Sequence, residues 1–182
     1  MADPSPEILA ARQGWRWNGT ERPPWADVPG CGQESVWDYP RPPIVVPDTR
    51  RVVVRSPTHV LVDTARSVRF LETAGAPTFY VAPSDVDTIS LTPARGSSTC
   101  EWKGVARYWA LADDPSTPVG WDYPDPFPPY ERVAGWFSFY PALLDCTVDG
   151  EVVRPQPGGF YGGWVTDEIA GPIKGSPGSA GW

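Results

Sequence analysis

Histidine, lysine and paired cysteine are what this chain has least of. Its 182 residues include one His and three Cys, and among 15 basic residues thirteen are Arg, leaving only Lys103 and Lys174. A Ser-His-Asp relay therefore has a single candidate base, His59, which follows a Ser56-Pro57-Thr58 turn, and no Gly-x-Ser-x-Gly elbow accompanies it. Cys31, Cys100 and Cys146 contain no Cys-x-x-Cys pair. Together with one His they lack the spacing of a structural zinc site, so no metal is expected. An odd number of Cys points to reduced thiols rather than a disulfide frame. No apolar run approaches the roughly 18 residues that span a bilayer, and no basic stretch followed by an apolar segment opens the chain. The expectation is a soluble cytoplasmic protein with no membrane partner. Net charge is −7 and the Arg residues are scattered, so nucleic acid is not an expected partner either.

Aromatic rings, proline and glycine are abundant instead: 10 Trp, 7 Tyr, 6 Phe, 24 Pro and 18 Gly. So many rings can offset chain entropy by burial, which argues for a folded, loop-rich domain rather than disorder. Strand-like runs are predicted at 51–55, 59–63, 67–71, 78–82, 88–91, 105–111, 133–140 and 144–148, separated by Pro, Gly, Asp and Ser. The fold class expected is all-β and antiparallel, with little helix. Asp149-Gly150 is the strongest hairpin signal, and Pro6–Gln13 can form a short helix ended by Gly14. Residues 1–49 read as a Pro/Trp-rich extension without strands, 50–154 as the core, and 155–182 as a tail wrapped on the sheet. Trp37-Asp38-Tyr39-Pro40 recurs as Trp121-Asp122-Tyr123-Pro124. Each copy is either a structural brace or one wall of a shared aromatic pocket.

Chemistry concentrates in Cys100-Glu101-Trp102-Lys103-Gly104 and the strand that follows. An ammonium beside a thiol favours thiolate, and an amine enclosed by rings loses its proton more readily. Cys100 or Lys103 is therefore a candidate nucleophile; the plainer alternative is a packed thiol and an exposed turn charge. The strand alternation sets Val105, Arg107 and Trp109 on one face and Ala106 and Tyr108 on the other. Glu72 ends an apolar strand and needs solvent or a cation such as Lys103 or Arg69. Asp85 and Asp87 have the spacing of a metal-binding acid pair, or form an ordinary cap at Ser84-Asp85. The glycines of Gly158-Gly159-Phe160-Tyr161-Gly162-Gly163 follow no βαβ unit, so no dinucleotide cofactor is expected, and they suit tight turns around rings.

Trp37–Pro40, Leu71-Glu72-Thr73, Cys100–Gly104, Trp121–Pro124 and Gly135-Trp136-Phe137-Ser138-Phe139-Tyr140 together resemble the domain of unknown function 427 family. The tail 154–164 resembles the full-length bacterial form of that family. The resemblance implies a compact two-sheet β-tent, similar in topology to methionine sulfoxide reductase B and to cereblon's ligand-binding domain. The zinc-binding Cys-x-x-Cys pairs common in β-tent proteins are absent here, as is a reductase Cys motif. A nucleotidyltransferase label attached to the family implies Gly-Ser followed by paired acids; here Asp85 and Asp87 precede Gly96-Ser97. The family's motif positions match Glu72, Tyr80, Cys100, Lys103, Tyr108, Trp109, Trp121 and Tyr123. The resulting expectation is a pocket for a small, flat, partly apolar or cationic molecule. Cys100, Lys103 and Glu72 are its reactive groups, and Tyr80, Tyr108, Trp109, Trp121 and Tyr123 its walls. A noncatalytic module that holds a ligand or peptide is the alternative, and nucleotidyl transfer a third.

Overall fold

The computed structural model describes residues 3–179 and 181–182. Strands make up 36% and helices 11%, so the chain is all-β with little helix. The one α-helix among the described residues, Pro6–Gln13, starts where the Ser5 hydroxyl accepts from the Ile8 N–H and ends at Gly14. No helix among these residues is long and apolar enough to cross a membrane.

Among the described residues three sheets have three or more strands, beside two two-stranded pairs. One orders Ile44–Asp48, Ser67–Leu71 and Thr78–Val81; a second orders Ser138–Phe139, Pro118–Asp122, Gly104–Leu111 and Leu91–Cys100; a third orders Glu151–Val152, Asp145–Val148, Val52–Arg55 and Val60–Thr64. All their pairings are antiparallel. Asp149 and Gly150 both take positive φ, which lets the two-residue turn match the twist of the strands it joins. A short parallel bridge ties Glu34–Ser35 to Ile169–Ala170, so the two flanking segments meet each other as well as the core.

Several expectations need correction. Residues 1–49 do carry strands: Ile44–Asp48 occupies a sheet edge, where Pro47, opposite Val68, leaves no central ladder bond missing. Pro118–Asp122 is a strand hidden in the sequence by Gly120. A Cβ on Gly120 would lie 2.6 Å from the Ser138 carbonyl oxygen, so only glycine fits. Thr88–Ser90 is a 3-10 turn, and the following strand runs through the expected Arg95–Ser98 loop to Cys100, absorbing extra residues at a register shift between Pro93 and Ser97. Of the run at 133–140 only Ser138–Phe139 is strand, because Glu131–Val133 forms a 3-10 turn and Gly135 turns the chain at positive φ.

Thr78–Val81 separates two cores. Phe79 and Val81 enter an aliphatic cluster with Val54, Leu61 and Trp164, while Tyr80 points the other way into a cluster with Phe70, Trp121 and Tyr123. Phe79 and Trp164 stack with centroids 4.9 Å apart. A third cluster holds Trp17, Trp37, Tyr39 and Leu71. The two repeat copies therefore part company: Trp37 begins no strand and braces the third cluster, whereas Trp121 lies in a strand of the second.

Candidate functional site

The second aromatic cluster borders a cavity of about 360 Å³. Its floor is built by the hairpin Leu91–Cys100/Gly104–Leu111, whose turn is Glu101-Trp102-Lys103. Gly104, at φ 100°, takes the backbone through a region that favours glycine and brings Lys103 inward, where the residue is only 8% exposed. The Lys103 Nζ lies 3.9 Å from the Phe70 ring centroid, 5.4 Å from Tyr123 and 5.6 Å from Tyr80. Burial opposes its charge, while Glu72 and a hydrogen bond with the Tyr80 hydroxyl favour it, and the balance sets the amine above the ordinary lysine value. The ring faces around Nζ suit an ammonium.

Cys100 lines the same wall. Burial pushes its thiol up, and nearby Lys103 only partly reverses this, so the residue is a protonated thiol at neutral pH. Glu72 is paired with neither Lys103 nor Arg69 as the sequence suggested. Its Oε1 accepts from Arg41 Nε at 3.1 Å. Arg41 also donates to the carbonyls of Trp17 and Thr73 and lies 4.2 Å from the Trp15 centroid. Arg69 is occupied elsewhere, among Glu34, Asp48 and Glu168.

Tyr108, Trp121 and Tyr123 line the cavity as expected walls. Tyr80 lies one layer below, fully buried, its hydroxyl oxygen accepting from Trp121 Nε1 at 3.2 Å. It positions Trp121 and Lys103 without reaching the cavity surface. Trp109 is not part of the lining. It packs on Phe137 with centroids 5.2 Å apart, and its Nε1 donates to Asp122. The register shift between Trp109 and Ala110 accompanies this turn away from the cavity.

The flanking segments supply walls that the sequence reading did not assign. Trp15 follows the helix and donates to Glu101 Oε1 at 3.0 Å, while Arg12 donates to the Glu101 carbonyl at 2.7 Å, so both clamp the hairpin turn. From the tail, residues 159–163 and Lys174 enter the lining. Lys174 is fastened through its backbone: its N–H donates to the Ala74 carbonyl at 2.7 Å, and its carbonyl accepts from Gln156 Nε2 at 2.8 Å. Its Nζ stands 3.7 Å from the Trp15 centroid and donates to the Trp182 backbone oxygen at 3.3 Å. Burial and the neighbouring Arg41 push this amine below the usual lysine value. The one sequence signal for Lys174 was scarcity: in a chain that otherwise uses Arg, both lysines line this cavity.

Asp85 accepts from Thr64, Arg66 and Ser84, and Asp87 from Ser90 at 2.6 Å. Ser84 and Asp85 lie within the 3-10 turn Pro83–Asp85, whose first residue is preceded by Ala82 with no side-chain cap. Neither acid lines the aromatic cavity, and His59, 3.6 Å from Asp113, does not either.

A family model, the domain of unknown function DUF427, matches residues 44–153, well over half of the chain. The chain belongs to the DUF427 family. No curated protein matches it. The DUF427 stretch contains Phe70, Glu72, the Cys100–Lys103 turn, Tyr108, Trp121 and Tyr123, whereas Trp15, Arg41, Gln156, the 159–163 segment and Lys174 lie outside it. In this DUF427 protein, then, the cavity is composite: the family domain makes the floor and the flanking segments make the roof.

Proposed function

We propose that this protein binds a small, flat organic molecule in the aromatic cavity, with Lys103 as its charged anchor and Trp121, Tyr123 and Tyr108 as its apolar walls. One observation carries the reading: an ammonium is held inside a ring-lined cavity of ligand size, built by residues far apart in sequence. Soluble proteins tolerate a buried cation only where surrounding groups compensate it, and a bound molecule completes that compensation. Glu72, fixed by Arg41, supplies a carboxylate in the lining, and Cys100 a thiol. Lys103 serves there as a positive charge and hydrogen-bond donor.

Trp15 and Trp121 lie in the walls and report occupancy through intrinsic fluorescence. Titration with indole-, quinoline- and naphthalene-sized probes is expected to give a saturable change for at least one of them. In Trp121→Ala the same probe binds about tenfold more weakly, the loss of one ring face. Absence of saturation with every probe would sink the reading.

A further inference from the structure

The residues lining the aromatic cavity differ in exposure, and only four of them are exposed: Thr99, Gly159, Phe160 and Tyr161. The first lies near the end of the edge strand Leu91–Cys100 and the other three follow one another in the tail. The cavity therefore reaches solvent at these two segments. Phe160 is the anomaly there, a large apolar ring that lines a cavity and is nevertheless 71% exposed. Its backbone is seated on either side and unsupported between. A Cβ on Gly158 would lie 2.3 Å from the Gly175 carbonyl oxygen, so the chain is pressed against the tail at that point. On the far side Gly162 lies against the Trp121 ring, and the Gly163 carbonyl accepts from the Gln156 N–H at 3.0 Å. Among the described residues no backbone hydrogen bond holds Gly159, Phe160, Tyr161 or Gly162. Gly159 takes φ 70° with nothing within 4 Å of where a Cβ would stand. A segment pinned at both ends, without hydrogen bonds between and with glycine at its base, rearranges at little cost.

We infer that residues 159–161 form a lid: once a ligand has entered, the Phe160 ring turns out of solvent, over the mouth, and becomes the last wall. The inference rests on the cavity reading above for what the lid closes over, and goes beyond it in assigning the entrance and the way it shuts. A ring that only packed the loop would lie against the body of the protein. Phe160 instead touches Tyr161 edge-on, with centroids 5.1 Å apart, while Tyr161 is the less exposed of the two at 37% and stands beside Lys174. The hydrophobic effect supplies the drive for closure. The Phe160 ring leaves water profitably only when an apolar molecule fills the space beneath it, so closing is coupled to occupancy.

The test uses the full chain, the fluorescent titration probes above and stopped-flow mixing. In Phe160→Ala a probe is expected to leave about tenfold faster while its association rate stays within about twofold. Phe160→Tyr keeps the ring and is expected to keep the parental rates. The position is exposed, so thermal unfolding of both variants should match the parent. A second arm asks whether the tip can reach across the mouth. In the double variant Thr99→Cys with Phe160→Cys, mild oxidation is expected to join positions 99 and 160, which requires their Cα atoms to come within about 7 Å. The joined protein should take up the probe at least about tenfold more slowly until reductant restores the rate. Thr99→Cys alone, oxidised in the same way, serves as the control, and peptide mass spectrometry identifies the bridge. A bridge that does not form although both introduced thiols alkylate, a bridge that leaves uptake unchanged, or unchanged dissociation from Phe160→Ala each overturns the lid and leaves the cavity reading standing. No saturation by any probe overturns both.

Discussion

Cys100 and Lys103 sit three residues apart and meet opposite fates. The hairpin turn delivers the amine into a ring cage that accommodates charge, while the thiol is desolvated against the same wall and stays protonated. Exposed Cys31 is therefore expected to alkylate first at pH 7, with Cys100 slow and buried Cys146 slowest. Burial raises the thiol values of both Cys100 and Cys146 in the fold. The stability this represents is fully present below the unfolded thiol value of about 8.5 and is lost as pH rises through the folded ones. Iodoacetamide labelling across pH, read by peptide mass spectrometry, checks both statements. A Cys100 as fast as Cys31 at pH 7 would restore it as a thiolate nucleophile. Sequence adjacency favoured the thiolate because it registers the nearby ammonium but not the depth of burial, which depends on Trp15 and the tail. Glu72 was likewise legible as a carboxylate in need of a cation, but its partner Arg41 is 31 residues away, a distance that only the fold closes.

At the scale of elements, strands with clean apolar alternation were readable and those shaped by contact were not. Ser67–Leu71 falls where the pattern puts it, as does the helix Pro6–Gln13 with its flanking Ser5 and Gly14. Pro118–Asp122 was lost because Gly120, demanded by a neighbouring strand, breaks the pattern locally. The tail segment 158–163 is the converse case. Its glycines were readable as turn-makers around rings, but the contacts they permit were not. A Cβ on Gly162 would run into the outer edge of the Trp121 ring. That ring is held on its other sides by Tyr140, with centroids 4.5 Å apart, and by Tyr80. Gly162→Ala is accordingly expected to cost about 1–3 kcal/mol by overpacking. It should also weaken probe binding, because either the roof lifts or Trp121 turns. Denaturant unfolding together with the fluorescence titration measures both. An unchanged midpoint and unchanged affinity would mean that the segment is free to move aside.

For the whole molecule, the family resemblance and the all-β class were visible in motifs, but the composite nature of the cavity was not, because its roof comes from residues on either side of the matched stretch. The same geometry makes a prediction about protection. A ligand in the cavity should slow amide exchange at residues 100–104 and at 156–163 and 174 together, since floor and roof share it, while the third sheet around Val52–Arg55 stays unchanged. Hydrogen exchange with and without a saturating probe tests this, and protection confined to the hairpin would show that the roof takes no part. The parallel bridge between Glu34–Ser35 and Ile169–Ala170 carries a consequence for biosynthesis. On the ribosome, the early residues 15 and 41 must wait, unmatched, until about 130 further residues have emerged before Lys174 can close over them. The closed cavity therefore arrives late and all at once, and a chain stalled before its tail would display an open, ring-lined trough to the translating cell.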